Sequence, residues 1–194
     1  MEAISIHPIA GIPQPLNQLR LTNRSRLRIR LPIDQIPLVY PLAGQTITID
    51  WGIERVSHQA KFQLGIPYPT ALQPASTLYS RLVLIHRAET PEAVLEVAQR
   101  QLNRKGIKGT IELPTRANGE VQCRLLTIKK KHQLFRLRGF GMKVTKLSEK
   151  DSIKLQQSGI GGKHKMMCGV FVPTWRETTE KDENSNVLVI YSGR

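Results

Sequence analysis

Two helix signals in the second half of the chain constrain its fold more than any other feature. Thr90 can cap a helix whose first residue is Pro91, and an apolar stripe at helical spacing follows up to Gly106. Ser148 can cap a second helix, the stretch EKDSIKLQQS, which ends at Gly159. The strands of this half of the chain must therefore lie in the segments around these two helices.

Strand patterns do fill those segments. STLYSRLVLI precedes the first helix, two strands near residues 107–113 and 121–129 follow it, QLFRLRGFGMKVTKL leads to the second helix, and MMCGVFVP comes last. Strand, helix, strand, strand, helix, strand is the ferredoxin-like order, which RNA-recognition-motif domains share. The first half reads strand, strand, helix, strand. We therefore predict an α+β protein with two ferredoxin-like domains, the first lacking its initial strand and helix.

A proline-rich stretch, GIPYPTALQPAS, separates the two halves and predicts an extended linker. The predicted organisation is an incomplete N-terminal domain over residues 1–66, a linker over 67–75, a C-terminal domain with a glycine-rich loop over 76–175, and a polar tail over 176–194. Within the tail, VLVIY is apolar enough to add an edge strand or to meet a partner.

The formal net charge of +14 is concentrated in one part of the chain. Residues 100–175 hold seventeen Lys and Arg against four Asp and Glu, whereas residues 1–99 hold nine against seven. Such a localised excess favours a polyanion, and nucleic acid above all, as the partner. Earlier in the chain, Arg26, Arg28 and Arg30 alternate with apolar residues, so we expect a strand whose arginine face is solvated or contacts phosphate.

Other functional classes receive little support from the sequence. No apolar run approaches the ~20 residues of a membrane span, and the N-terminus does not resemble a signal peptide, so we expect a cytoplasmic protein without a membrane partner. Cys123 and Cys168 suggest neither a disulfide framework nor a zinc site. HExxH and paired CxxC motifs are absent, and we expect neither a metal nor a cofactor.

The stretch GIGGKHKMMCGVFVP combines flexible backbone with cations. Gly161 and Gly162 permit close approach of a ligand, successive backbone N–H groups can cradle a phosphate, and Lys163, His164 and Lys165 add charge. Gly159 can equally be an ordinary end of the preceding helix.

Further cations accompany this loop. The lysines of KKKH fit either an RNA contact or a charged turn, and the cations that end the first helix fit either an RNA contact or the helix dipole. The remaining predicted RNA-binding residues are Arg100, Arg104, Lys105, Lys129, Lys131, Arg136 and Arg138.

Taken together, these segments resemble the CRISPR repeat-RNA endoribonucleases, the sixth family of Cas proteins, and most of all the branch of myxobacterial-type and cyanobacterial type I-B systems. The resemblance rests on IHPIAG, LTNRSRLRIRLP, PLAGQTITI, PASTLYSRLVLI, RQLNRKGI, LLTIKKK and GFGMKVTKLSEKDSIKLQQSGIGGKHKMMCGVFVP, and covers roughly residues 4–173. The glycine-rich loop before a last strand is the family's most recognisable feature.

The resemblance implies binding of a repeat stem-loop and metal-independent cleavage at the base of its 3′ side. It also implies that the protein stays on the crRNA 3′ hairpin as a subunit of a type I targeting (Cascade) complex. The implied partners are the crRNA repeat hairpin, other Cascade subunits and transposition-associated CRISPR machinery.

Metal-free RNA cleavage uses the 2′-hydroxyl as nucleophile, with a general base, a general acid and cations around the phosphorane. His132 and Lys130 are the predicted catalytic residues. The family's usual catalytic histidine lies in or beside the first helix, and the resemblance begins at the following strand, so we expect that histidine to have no counterpart in this sequence. The alternatives are a non-catalytic subunit that binds the crRNA hairpin and a basic structural RNA-binding protein.

Overall fold

The computed structural model describes residues 4–7, 9, 11–14, 18–22, 25–53, 56–116, 118–130, 133–173 and 189–193. The chain divides into two compact units, a C-terminal unit of residues 1–6 with 72–180 and an N-terminal unit of residues 7–71 with 181–194. The division at residues 71 and 72 falls inside the segment predicted as a linker. Within the described part of the chain, no helix is long and apolar enough to cross a membrane.

The described strands are numbered along the chain. They are β1 (Ser5–Ile6), β2 (Ile12–Gln14), β3 (Gln18–Arg20), β4 (Arg28–Pro32), β5 (Thr46–Ile53), β6 (Val56–Gln63), β7 (Tyr68–Ala71), β8 (Leu78–Val83), β9 (Thr110–Glu112), β10 (Cys123–Lys130), β11 (Gln133–Thr145), β12 (Val172–Pro173) and β13 (Val189–Gly193). The α-helices are α1 (Pro91–Arg104) and α2 (Glu149–Ser158), and two 3-10 helices span Ile33–Leu42 and His164–Met166.

Both α-helices begin and end where the sequence predicts. The Thr90 hydroxyl accepts a hydrogen bond from the N–H of Ala93 at 3.3 Å, and the Ser148 hydroxyl accepts one from the N–H of Asp151 at 3.1 Å. Each bond satisfies one of the N–H groups that lack a partner in the first turn of a helix, which stabilises the fold by about 1 kcal/mol. Gly159 follows α2 with a φ of 57°, as expected for a glycine that ends a helix.

The C-terminal unit contains an antiparallel sheet in the order β10-β11-β8-β12. β9 also pairs with β11, through Thr110 to Glu112, on the side where β10 pairs with the earlier part of the same strand. β9 and β10 therefore form one interrupted edge of the sheet. The two α-helices and the strands enclose a core that includes Leu78, Val83, Val94, Ala98, Leu102, Phe140, Met142, Val144, Leu155, Ile160 and Phe171.

The predicted final strand is mostly wrong. Only Val172 and Pro173 form a strand, β12, which pairs with β8. Met166 and Met167 are exposed, whereas Cys168 and Phe171 are fully buried. The apolar segment therefore anchors the chain through its later residues and not along its whole length.

The N-terminal unit contains two hairpins and a small sheet. β2 pairs with β3, and β5 pairs with β6. β13 lies between β4 and β7 and runs parallel to both. Part of the segment predicted as a polar tail is thus a strand, and it lies inside this sheet instead of at its edge.

The prediction that the arginine face of β4 is solvated or contacts phosphate is wrong at Arg30. Arg30 is 4% exposed, and His7 beside it is 3% exposed. The N–H of His7 donates to the carbonyl oxygen of Arg28 at 2.9 Å. Burial, together with the positive charges of Arg30 and Arg28, lowers the pKa of His7 to about 3.

The burial of His7 predicts a fold that loses stability in acid. His7 stays neutral in the folded chain down to about pH 3, but in the unfolded chain it takes up a proton below its ordinary pKa of 6.5. Below that pH this residue should lower the free energy of unfolding by about 1.4 kcal/mol per pH unit. Denaturant unfolding at about pH 7.5 and about pH 5 measures the loss, which should be smaller in His7→Gln. An equal loss in both proteins would contradict the prediction.

Candidate nucleic-acid interface

A cavity of about 570 Å³ lies in the C-terminal unit where three segments meet. Residues 84–89, which follow β8, form one side, residues 136–138 of β11 form another, and residues 161–163 of the glycine-rich loop form a third. Gln101 of α1 also lines it. The cavity therefore joins segments that lie far apart in the sequence.

The charge of this cavity suits an anion. Arg87, Arg136, Arg138 and Lys163 line it, and the acidic residue among its lining residues is Glu89. The four cations are all largely exposed, so their side chains remain hydrated and accessible to a ligand. Guanidinium groups bind phosphate oxygens through paired hydrogen bonds, and clustered cations in a concave surface raise the local concentration of polyanions.

The alternation of β11 places its two arginines in the cavity. Phe140 and Met142 are buried on one face of the strand, and Arg136 and Arg138 continue on that face towards its beginning. The Nε of Arg138 donates to the Sγ of Cys123 at 2.9 Å across the β10–β11 pair, and this hydrogen bond raises the pKa of Arg138. Both arginines are predicted RNA-binding residues, and the structure brings them together with Lys163.

Two of the cavity's cations have an unusual backbone conformation. Arg87 has a φ of 61° and Lys163 a φ of 62°, the left-handed region that residues other than glycine rarely adopt. Such residues are common at ligand-binding sites, where surrounding contacts hold them in place. A hydrogen bond joins their two loops, since the N–H of Gly162 donates to the carbonyl oxygen of Leu84 at 3.1 Å.

The glycines of the loop have different roles. Gly161 has a φ of 78°, its N–H donates to Oε1 of Gln101 at 2.8 Å, and an added Cβ would collide with the carbonyl oxygen of Leu84. At Gly162 an added Cβ would meet no atom within 4 Å. Both N–H groups already have partners inside the protein, so neither is available to cradle a phosphate in this structure, and RNA binding at these two glycines stays a prediction.

His164 fills the space that two other glycines leave. Its imidazole lies close to where a Cβ of Gly159 or Gly169 would be, and its Nε2 is buried. That nitrogen is therefore not accessible to a phosphate in this structure. Lys163 and Lys165 on either side of His164 are exposed, as an interaction with RNA requires.

The three cations at the end of α1 also differ from one another. Nζ of Lys105 donates to the carbonyl oxygens of Ser158 at 2.9 Å and Gly159 at 2.7 Å, and burial lowers its pKa. Arg100 forms an exposed ion pair with Glu96 at 3.1 Å, which contributes little to stability. Arg104 is exposed. Lys105 therefore has partners within the protein, whereas the two arginines are accessible.

The predicted catalytic residues are not tested by the structure. Lys131 and His132 lie outside the described residues. Lys129 and Lys130 belong to β10, where they pair with Leu134 and Gln133 of β11. Among the described residues, no group of three or more His, Cys, Asp or Glu side chains is placed to hold a metal ion.

Two residues that line the cavity, His86 and Arg87, were not predicted from the sequence. They occupy the loop between the end of β8 and the cap of α1, in the stretch LIHRAET. Loops that a rigid scaffold positions at the ends of strands often carry functional residues. A histidine followed directly by an arginine in such a loop was the feature of the sequence that could have indicated them.

The chain belongs to the Cas6 family of CRISPR-associated proteins, because the sequence model of that family, described as Cas6 Crispr, matches residues 1–176. A relative is the CRISPR-associated endonuclease Cas6 of Myxococcus xanthus (strain DK1622), which is 28% identical over 159 residues. The match covers 82% of this chain and 61% of the relative, so the chain spans less than two thirds of the length of that protein.

Two solved structures of the CRISPR endoribonuclease Cse3 bound to a 19-nucleotide RNA are weakly similar to the chain. The first has 12% sequence identity and a TM-score of 0.33, over 66% of this chain and 79% of that one. The second has 13% identity and a TM-score of 0.29, over 59% of each chain.

The two neighbouring glycines of the loop should respond differently to substitution. Gly161→Ala should lower the free energy of unfolding by about 1–3 kcal/mol, because a side chain is strained at this φ and meets the Leu84 carbonyl. Gly162→Ala, the matched control, should change it by about 0.5 kcal/mol or less, since the space around it is open. Thermal and denaturant unfolding measure both. An equal change in the free energy of unfolding in both variants would contradict the left-handed conformation of Gly161 and its contact with Leu84.

Proposed function

We propose that this chain binds the stem-loop of a CRISPR repeat RNA, processes the precursor RNA by metal-independent cleavage, and stays on the 3′ hairpin as a subunit of a type I Cascade complex. The observation that carries the proposal is the cavity, where Arg87, Arg136, Arg138 and Lys163 converge beside the glycine-rich loop. Membership of the Cas6 family supports it, as does the name of the Myxococcus relative, an endonuclease.

In this proposal the protein has two ferredoxin-like domains. The C-terminal unit supports one of these domains. Its elements follow the order strand, helix, interrupted strand, strand, helix, strand, and its sheet has the order β10-β11-β8-β12. The N-terminal unit would be a second domain of the same kind, of which β4 to β7 supply a part.

RNA binding would use two groups of cations. The cavity's arginines and Lys163 would hold phosphates of the RNA backbone, because planar guanidinium groups match phosphate oxygens and Lys163 adds a point charge. Three successive lysines at the end of β10 and directly after it in the sequence, Lys129, Lys130 and Lys131, would hold further phosphates. Phosphate contacts of this kind supply affinity and orientation.

Cleavage would proceed by attack of a ribose 2′-oxygen on the adjacent phosphorus. The bond from phosphorus to the 5′-oxygen breaks, and the products are a 2′,3′-cyclic phosphate and a 5′-hydroxyl. One group takes the proton of the 2′-hydroxyl and another gives a proton to the departing 5′-oxygen, while cations stabilise the phosphorane. His132 and Lys130 are the candidates from the sequence, and His86 is the candidate from the cavity, where a histidine lies among cations.

Incubation of the purified chain with its repeat RNA in EDTA tests this function. We expect discrete cleavage, and we expect His86→Ala to slow it by about 100-fold or more without weakening binding. A loss of cleavage in His132→Ala alone would instead place the cleavage centre at His132, in the segment that follows β10 in the sequence. Tight binding without cleavage by the unaltered chain would support the non-catalytic subunit, and equal binding of unrelated RNA would support a basic structural protein.

The salt dependence of binding tests the phosphate contacts separately from cleavage. Each lost phosphate contact should reduce the slope of log K against log salt by about 0.7–0.9, because fewer counterions are released. Lys163→Ala should therefore reduce the slope by about that amount, and neutralising Lys129, Lys130 and Lys131 together should reduce it further. Lys150→Ala on α2, exposed and outside the cavity, is the matched control. An unchanged slope in Lys163→Ala would contradict a phosphate contact there.

A further inference from the structure

One face of α1 holds the start of the glycine-rich loop through three hydrogen bonds. Lys105, at the end of the helix, donates its ammonium to the carbonyl oxygens of Ser158 at 2.9 Å and Gly159 at 2.7 Å. One turn earlier, Oε1 of Gln101 accepts from the N–H of Gly161 at 2.8 Å. Residues four apart lie on the same side of a helix, so these two side chains reach successive parts of one segment.

These bonds satisfy groups that the local backbone leaves without partners. The last carbonyl groups of α2 have no partner within that helix, and a cation near them is favourable for the helix dipole. Burial of the Lys105 ammonium is costly, as its lowered pKa shows, and the two charge-assisted hydrogen bonds offset that cost. Gly161 is half-buried, so its N–H would lose a hydrogen bond if Gln101 did not accept it.

The same bonds determine where Lys163 lies. Gly159 and Gly161 are held by α1, and the N–H of Gly162 is held by the Leu84 carbonyl oxygen. Lys163 comes directly after these three residues and has a left-handed backbone, so it has little freedom to leave the cavity. The exposed ammonium of Lys163 is thus positioned by residues that have their own partners inside the protein.

We propose that Gln101 and Lys105 are positioning residues for RNA binding, which act by holding the glycine-rich loop and Lys163 at the cavity without contacting RNA themselves. The RNA part of this inference rests on the proposed function. The sequence predicts a direct RNA contact for Lys105, and the proposal replaces that contact with a positioning role. The two roles have different experimental consequences.

Hydrogen–deuterium exchange without RNA tests whether the loop is held. Gln101→Met removes the acceptor and Lys105→Met removes the donor, and each should speed exchange in the segment 159–163 by about fivefold or more, the equivalent of one ordinary hydrogen bond. Lys105→Arg keeps donors and should restore slow exchange. Gln99→Met, a half-buried position on the same helix whose amide donates to Asn103 and not to the loop, is the matched control. Unchanged exchange in both methionine variants would overturn the proposal.

Salt titrations with the repeat hairpin then separate positioning from contact. Lys105→Met should lower affinity by about fivefold at every salt concentration with the slope of log K against log salt unchanged, and Lys105→Arg should recover the affinity. A slope reduced by about 0.7–0.9, as expected for Lys163→Ala, would show that Lys105 contacts phosphate and would overturn the proposal. Unchanged affinity with a loosened loop would also overturn it.

The exchange experiment, which uses no RNA, and the salt titration with RNA test separate parts of the proposal. If the unaltered chain binds unrelated RNA as well as the repeat hairpin, the proposed function fails and the role of the pair in RNA recognition fails with it. The exchange rates would still decide whether Gln101 and Lys105 hold the glycine-rich loop.

Discussion

The burial of one face of α1 is the interaction on which the C-terminal unit depends. Val94, Ala98 and Leu102 are between 0 and 1% exposed, and they pack in the core with residues of β8 and β11. Burying each of the two larger side chains stabilises the fold by about 1.5–3 kcal/mol. The same packing fixes the rotation of the helix about its axis, and so determines the directions in which its polar residues point.

That rotation determines how the cavity is built. Gln101 and Lys105 lie at the border of the buried face, where they reach the segment between α2 and the glycine-rich loop, whereas Arg100 and Arg104 lie farther around the helix and are exposed. On β11, the alternation that buries Phe140 also directs Arg138 towards the cavity. The cations therefore depend on the core for their positions, although none of those lining the cavity is itself buried.

The features that could be predicted from the sequence are local ones. Thr90 and Ser148 each bond an N–H three residues away, so their signals are complete within one helical turn. Lys105 could not be assigned in this way, since its partners are 53 and 54 residues along the chain. The burial of Arg30 beside His7 and the packing of His164 on two glycines likewise depend on contacts that no short stretch encodes. Arg136, Arg138 and Lys163 were recognised as cations, but only the fold shows that they share one cavity.

The interrupted edge formed by β9 and β10 has a consequence for how the protein behaves in solution. An exposed edge strand can pair with the edge of another molecule, and natural proteins often prevent this by keeping such strands short or by placing lysines along them. β9 has three residues, and β10, at the edge of the described sheet, ends in Lys129 and Lys130. Lys129 and Lys130, which are proposed to bind RNA, would thus also keep two copies of this protein from pairing through the edges of their sheets. A variant that lost these charges would have to be tested for self-association before its weaker binding of RNA could be attributed to lost phosphate contacts.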